Sequence, residues 1–173
     1  MKPAVGISFE IIALTLVLGV SFLIPTGAFH TAYIVAVELV TTYLIHCPAH
    51  YFVGRVFGIR FSAIRTGRTG LARLLPTGFG RIARLLPILT LSTERASLAA
   101  VSRKKVAVMY GSGTVASTAS AVAVAVFFTM EGSFSNSAAT WAVALLYLAF
   151  DLVFSPRGGD LFRAKNALKI PTG

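Results

Sequence analysis

The sequence predicts an all-α integral membrane protein with about four transmembrane helices in a single domain, residues 1–173, and three observations carry that expectation. Of 173 residues, 55% are hydrophobic and only 13% charged, about half the charged share of a soluble domain. Four apolar stretches approach the roughly 20 residues a helix needs to cross about 30 Å of hydrocarbon. The 16 Lys and Arg far outnumber the 6 Asp and Glu, and they gather in particular connections rather than spreading evenly. Such a composition excludes an ordinary water-soluble domain and a disordered tail. With one cysteine, Cys47, an intrachain disulfide framework and a cysteine-only zinc site are also excluded.

The first span runs from about Val5 to Ile24, closed by Pro25 and Gly27. It has one Lys near its start and no small-residue cleavage site before Pro25, so it reads as a retained helix and not a signal peptide. The second runs from about Thr31 to Val53, the third from Val106 to Met130, and the fourth from Ala138 to Phe154, where Pro156 is expected to stop it. Helix is expected throughout because lipid offers the backbone no hydrogen-bond partners. The segment Arg55 to Lys105 holds 11 of the 16 basic residues, Arg157 to Lys169 holds 4, and Lys2 is the last. The connections Pro25 to His30 and Glu131 to Ser137 hold none. The positive-inside rule therefore predicts a cell-membrane protein with both termini and the long loop in the cytoplasm.

Between spans two and three, residues 55–105 read as an interfacial loop. Leu and Ile would dip into the headgroup boundary while Arg meets anionic lipid headgroups. Two Pro and five Gly between Gly58 and Pro87 preclude one long helix, and Ala-Arg-Leu-Leu-Pro occurs twice, at Ala72 to Pro76 and Ala83 to Pro87. From Gly58 to Lys105 the aromatics are Phe61 and Phe79 alone, too few for base stacking, so no nucleic-acid partner is expected. A short surface helix is expected from about Thr93 to Lys105, with Thr93 as cap and Glu94 at its positive end. In the third span Gly113, Ser117, Ala121 and Ala125 recur every four residues, forming a small-residue stripe for close helix packing. Trp141 suits the outer membrane boundary.

Ionisable groups inside lipid are costly and each needs a reason. They are Glu10, Glu38, His46, His50 and Asp151, with Asp160 just beyond the fourth span. His46 and His50 are four apart, so both imidazoles share one helix face. Spans two and four run in the same direction, which puts the histidine pair and the two late aspartates in one leaflet. Two His and one carboxylate form a recurrent zinc set with one position left for water. The third ligand stays open between Asp151 and Asp160, and Asp151 has a structural alternative as the partner of Arg157 or Arg55. Glu38 precedes His46 by eight residues, about 12 Å along the helix, too far to join the site. Glu10 lies at a depth similar to His46. Glu10 and Glu38 are expected to be protonated or hydrogen-bonded to Ser and Thr on neighbouring helices.

The stretch Leu44-Ile45-His46-Cys47-Pro48-Ala49-His50 through Gly58-Ile59-Arg60 resembles the HExxH helix of the site-2 proteases, the intramembrane zinc metalloproteases. Phe150-Asp151 through Pro156-Arg157-Gly158-Gly159-Asp160 is similar to their last core segment. The resemblance covers roughly Thr31 to Leu168 and rests on two short motifs. It implies a three-helix core preceded by one extra helix, and zinc as cofactor. It also implies a general base directly after the first His, where this chain has Cys47. A thiol is a poor substitute for a carboxylate that takes a proton from metal-bound water and returns it to the leaving amine. Gly158-Gly159 precedes Asp160, the reverse of the family order, and Pro48 removes a backbone hydrogen bond and crowds the Leu44 carbonyl.

The expected function is thus a site-2-protease-like membrane protein of impaired proteolytic competence, with a zinc site and a role in binding a membrane segment or partner. Two alternatives accompany it. One is a non-catalytic accessory subunit of a larger membrane complex, or a homo-oligomer, using the stripe and the basic loop as contact surfaces. The other is a rearranged metallohydrolase with Glu10 as substitute base.

Overall fold

The computed structural model describes residues 1–21, 29–66 and 89–169. Its elements in chain order are α1 (Pro3–Ser21), α2 (His30–Val56), β1 (Phe61–Thr66), β2 (Leu89–Thr93), α3 (Arg95–Ala99), α4 (Arg103–Met130), α5 (Phe134–Gly158) and α6 (Asp160–Lys169). Four of these helices, α1, α2, α4 and α5, are long and apolar enough to cross a membrane. The chain is an all-α membrane protein with a small hairpin attached.

Much of what the long helices bury is small or polar, while many of their large apolar residues face outward. On α1, Ile7 and Glu10 are buried while Phe9, Ile12 and Leu16 are exposed. On α4, the buried residues include Gly113, Ser117, Ala121 and Ala125, the predicted stripe in full. Such an inside-out distribution suits lipid, where close backbone approach and dispersion replace the hydrophobic drive between helices. α4 is the central helix: it packs along α2, α5 and α6, while α1 lies against α2. Ala121, Ala125 and Ala144 form the close contact between α4 and α5, and Trp141 donates its indole N–H to Thr129 at 3.0 Å.

Three expectations are corrected. α5 does not stop before Pro156 but runs through it to Gly158. A proline costs a helix the hydrogen bond to the residue four before it, and here the helix continues for two residues beyond. Thr93 is not a helix cap: it ends β2 opposite Phe61. The surface helix is five residues, Arg95–Ala99, and its preceding residue, Glu94, makes no side-chain cap. Arg103, Lys104 and Lys105 belong instead to the first turn of α4. Finally, the basic connection is not wholly irregular, because β1 and β2 pair antiparallel with a register shift between Phe61 and Ala63. The two Ala-Arg-Leu-Leu-Pro segments, Phe79, and the end of the first span at Ile24 with Pro25 and Gly27 lie outside the described residues.

The hairpin is docked onto one end of the bundle by two glycines. A Cβ on Gly6 of α1 would come 2.5 Å from the Ile64 Cδ1, and one on Gly54 of α2 would come 2.5 Å from the Phe61 ring. The Ile64 N–H donates to the Met1 carbonyl at 3.1 Å. Arg60 and Ser97 bond in both directions, Arg60 N–H to the Ser97 hydroxyl at 2.9 Å and that hydroxyl towards the Arg60 carbonyl at 3.4 Å. Met1, the hairpin, α3 and the end of α2 therefore share one end of the bundle.

Candidate metal centre

Two α2 histidines and the first residue of α6 converge at that same end. His46 and His50 stand one turn apart on either side of Pro48, and α2 is continuous through that proline. Their rings meet edge to face, centroids 4.8 Å apart. Asp160 is brought to them by a sharp junction. The Gly159 N–H still donates to the Ser155 carbonyl at 2.9 Å, after which the chain turns and the Leu161 N–H takes the Ser155 hydroxyl at 3.1 Å. A Cβ on Gly159 would lie 2.9 Å from the Ser155 Cα, so a glycine is needed for this close approach.

The three contacts are short. His46 Nε2 is 2.8 Å from Asp160 Oδ2, His50 Nε2 is 3.1 Å from the same oxygen, and the two Nε2 atoms are 3.2 Å apart. What these atoms can do follows from their partners on the far side of each ring. His50 Nδ1 lies 2.7 Å from the Met109 backbone carbonyl, which only accepts, so Nδ1 carries the hydrogen. His46 Nδ1 lies 3.1 Å from the Ser117 hydroxyl. That hydroxyl also reaches the Thr42 carbonyl at 2.9 Å and hydrogen-bonds Tyr147; with its hydrogen on the carbonyl it accepts from His46 Nδ1–H. Both imidazoles are thereby assigned the tautomer with Nε2 bare, and a carboxylate oxygen faces the two lone pairs.

Three acceptor atoms at such separations repel unless something positive joins them. Protons alone serve poorly, because protonating both rings would set two N–H groups against each other across 3.2 Å. A divalent cation fits better. Ligands about 2.0–2.1 Å from a tetrahedral zinc lie about 3.3 Å from one another, close to the separations observed. The backbone carbonyl and serine behind the imidazoles are the outer partners such ligands normally carry. Asp160 also begins a helix, whose N-terminal dipole favours a carboxylate.

The candidates divide as follows. His46, His50 and Asp160 form a group that could hold a metal ion. Asp151 is not in it: its carboxylate sits on α5 beside the Thr118 hydroxyl at 3.4 Å. It makes no ion pair with Arg157 or Arg55; among the described residues the carboxylate contacts to basic side chains are the two between Asp160 and the histidines. Glu10 reaches across from α1 and hydrogen-bonds Cys47, the residue between the two histidines. Its Oε2 is buried with no hydrogen-bond partner among the described residues. Glu38 has neither of the expected Ser or Thr bonds, since both its carboxyl oxygens are unpartnered.

Sequence reasoning missed three contributors. Ser117 and the Met109 carbonyl set the tautomers, and Gly113 makes room for the ligand ring. A Cβ at position 113 would fall on the His50 imidazole, 2.6 Å from Cε1 and 2.8 Å from Cδ2. The available signal was a hydroxyl and a glycine one turn apart within a small-residue stripe, which packing alone already explained. No protein-family model, curated protein or solved structure matches this chain.

Proposed function

We propose that this protein is a membrane-embedded metal-site protein similar to the site-2 proteases, with proteolysis impaired and with binding of a membrane segment or partner as its role. The observation that carries the reading is the convergence of two bare Nε2 atoms and a carboxylate oxygen within 3.2 Å. His46, His50 and Asp160 would hold a zinc-class ion. When bound with three protein ligands, such an ion leaves a fourth position for water and brings that water's pKa to about 7. Ser117 and the Met109 carbonyl fix which nitrogen of each ring faces the ion, and Gly113 lets the His50 ring lie flush against α4. Impairment follows from Cys47, a buried thiol in the position that the resemblance assigns to the proton-transferring carboxylate. The basic end of the bundle faces the cytoplasm in this reading, with anionic headgroups around it.

A second reading, a rearranged hydrolase, is favoured by the contact between Glu10 and Cys47. There the missing carboxylate is supplied by α1 instead of α2, and Glu10 would take and return the proton beside the site.

Elemental analysis of the purified protein tests the first claim. About one zinc per chain is expected, lost in His46→Ala and Asp160→Asn and retained in Asp151→Asn. A metal-free wild type purified without chelator would sink the metal reading and leave the accessory-subunit alternative. Cleavage of a transmembrane peptide by the zinc-loaded protein, abolished by Glu10→Gln at unchanged zinc content, would select the hydrolase.

A further inference from the structure

A second polar cluster lies deeper in the bundle. Glu38, Thr41 and Thr42 occupy neighbouring positions on one face of α2, three and four residues apart. They are 0%, 4% and 2% exposed. Both carboxyl oxygens and both hydroxyls are buried without a hydrogen-bond partner among the described residues.

The threonines are the informative part. Within an apolar helix a Thr hydroxyl commonly donates to the carbonyl four residues before it. Thr15 does so to Ile11 at 2.9 Å, Thr129 to Ala125 at 2.8 Å and Thr140 to Asn136 at 2.8 Å. Thr41 and Thr42 do not, although the Val37 and Glu38 carbonyls stand in the same relation to them. Two hydroxyl donors and a two-oxygen acceptor are thus gathered on one buried face with no protein group to join them.

We propose that Glu38, Thr41 and Thr42 enclose internal water and that Glu38 holds a proton there, forming a hydrated proton-binding site inside the bundle. Water answers the donors and the acceptor together: one molecule accepts from the two hydroxyls and donates to the carboxyl C=O, buried waters typically making about three such bonds, and a second accepts from the protonated carboxyl's O–H. A bound monovalent cation would meet the oxygens but leave the hydroxyl hydrogens without an acceptor. The proton neutralises a carboxylate that has no positive partner, which at this depth is the requirement any ionisable group must meet. Thr42 also links this site to the metal centre, because its carbonyl receives the Ser117 hydroxyl that in turn receives His46 Nδ1–H. The inference does not depend on a metal being bound.

The test uses the full chain in lipid vesicles. Infrared difference spectra of wild type against Glu38→Gln should show the carbonyl band of a protonated carboxyl, and that band should shift on exchange into heavy water. Thr41→Val and Thr42→Val, which keep the backbone and Glu38, should each shift the band as one bond to the water is lost. Dicyclohexylcarbodiimide should modify Glu38 in wild type, read by mass spectrometry, with no protection by sodium or potassium. The absence of a Glu38-dependent carboxyl band, or threonine variants that leave it unmoved, overturns the proposal. Protection of Glu38 by sodium overturns it in favour of a cation site.

Discussion

Ser117 is the residue that ties the proposed metal centre to the fold. Its hydroxyl donates to the Thr42 carbonyl, accepts from His46 Nδ1 and also hydrogen-bonds Tyr147. Ser117→Ala removes all three. The Thr42 carbonyl loses its side-chain donor, a loss of about 1 kcal/mol, and the His46 ring is released to adopt the other tautomer. Loss of such an outer partner typically weakens metal binding roughly 10- to 100-fold. Zinc titration by competition with a chromophoric chelator should show that loss in Ser117→Ala. Ala121→Gly, one turn further along the same stripe and away from the histidines, should leave zinc affinity unchanged while lowering stability. Equal affinities in wild type and Ser117→Ala would show that the serine does not orient His46. At this scale the sequence was partly legible. The four-residue spacing put His46 and His50 on one face before any coordinates were known. It left Asp151 and Asp160 unresolved, because only the turn at Gly159 decides which carboxylate swings back to α2. Ser117 was hidden because a small residue on a packed helix needs no second reason to be there.

The secondary elements show the same division. The four long helices were legible because lipid leaves the backbone few alternatives and the apolar runs are long; their ends were misjudged where Pro156 and the Arg103–Lys105 turn proved to be helical. The hairpin was not legible. Its strands, Phe61-Ser-Ala-Ile-Arg-Thr and Leu89-Thr-Leu-Ser-Thr, are short, distant in sequence and weakly alternating, so their pairing is decided by what they dock on. Gly54 tests that docking. Its position faces the Phe61 ring on one side and the Met109 Cγ at 3.2 Å on the other. Gly54→Val should force them apart and cost about 1–3 kcal/mol, read as a lower thermal midpoint in detergent. Gly111→Val supplies the comparison, since a Cβ there meets nothing within 4 Å, and it should not destabilise. If the two variants melt alike, the hairpin does not contribute to holding α2 and α4 together.

On the scale of the whole molecule, charge and contact give the same account of which ends belong together. Met1 touches β1, α3 touches the start of β1, and α6 reaches the histidines of α2. The described basic residues thus gather at one end, while the opposite end carries Glu131 and the exposed apolar Phe29, Met130 and Phe134. Each Lys or Arg near an anionic leaflet contributes about 1 kcal/mol, so insertion with the basic end outward forfeits several kcal/mol before any translocation cost. The orientation with both termini cytoplasmic is therefore expected to dominate. Single cysteines in a Cys47→Ser background test it with a membrane-impermeant maleimide. Glu131→Cys should label on intact cells, whereas Arg95→Cys and Lys165→Cys should label only after permeabilisation. The reverse pattern would refute the orientation while sparing the metal centre, which needs only a shared end. Labelling of Arg95→Cys and Lys165→Cys from opposite faces would be more damaging. It would separate α6 from the end of α2 and remove the third ligand from the histidine pair.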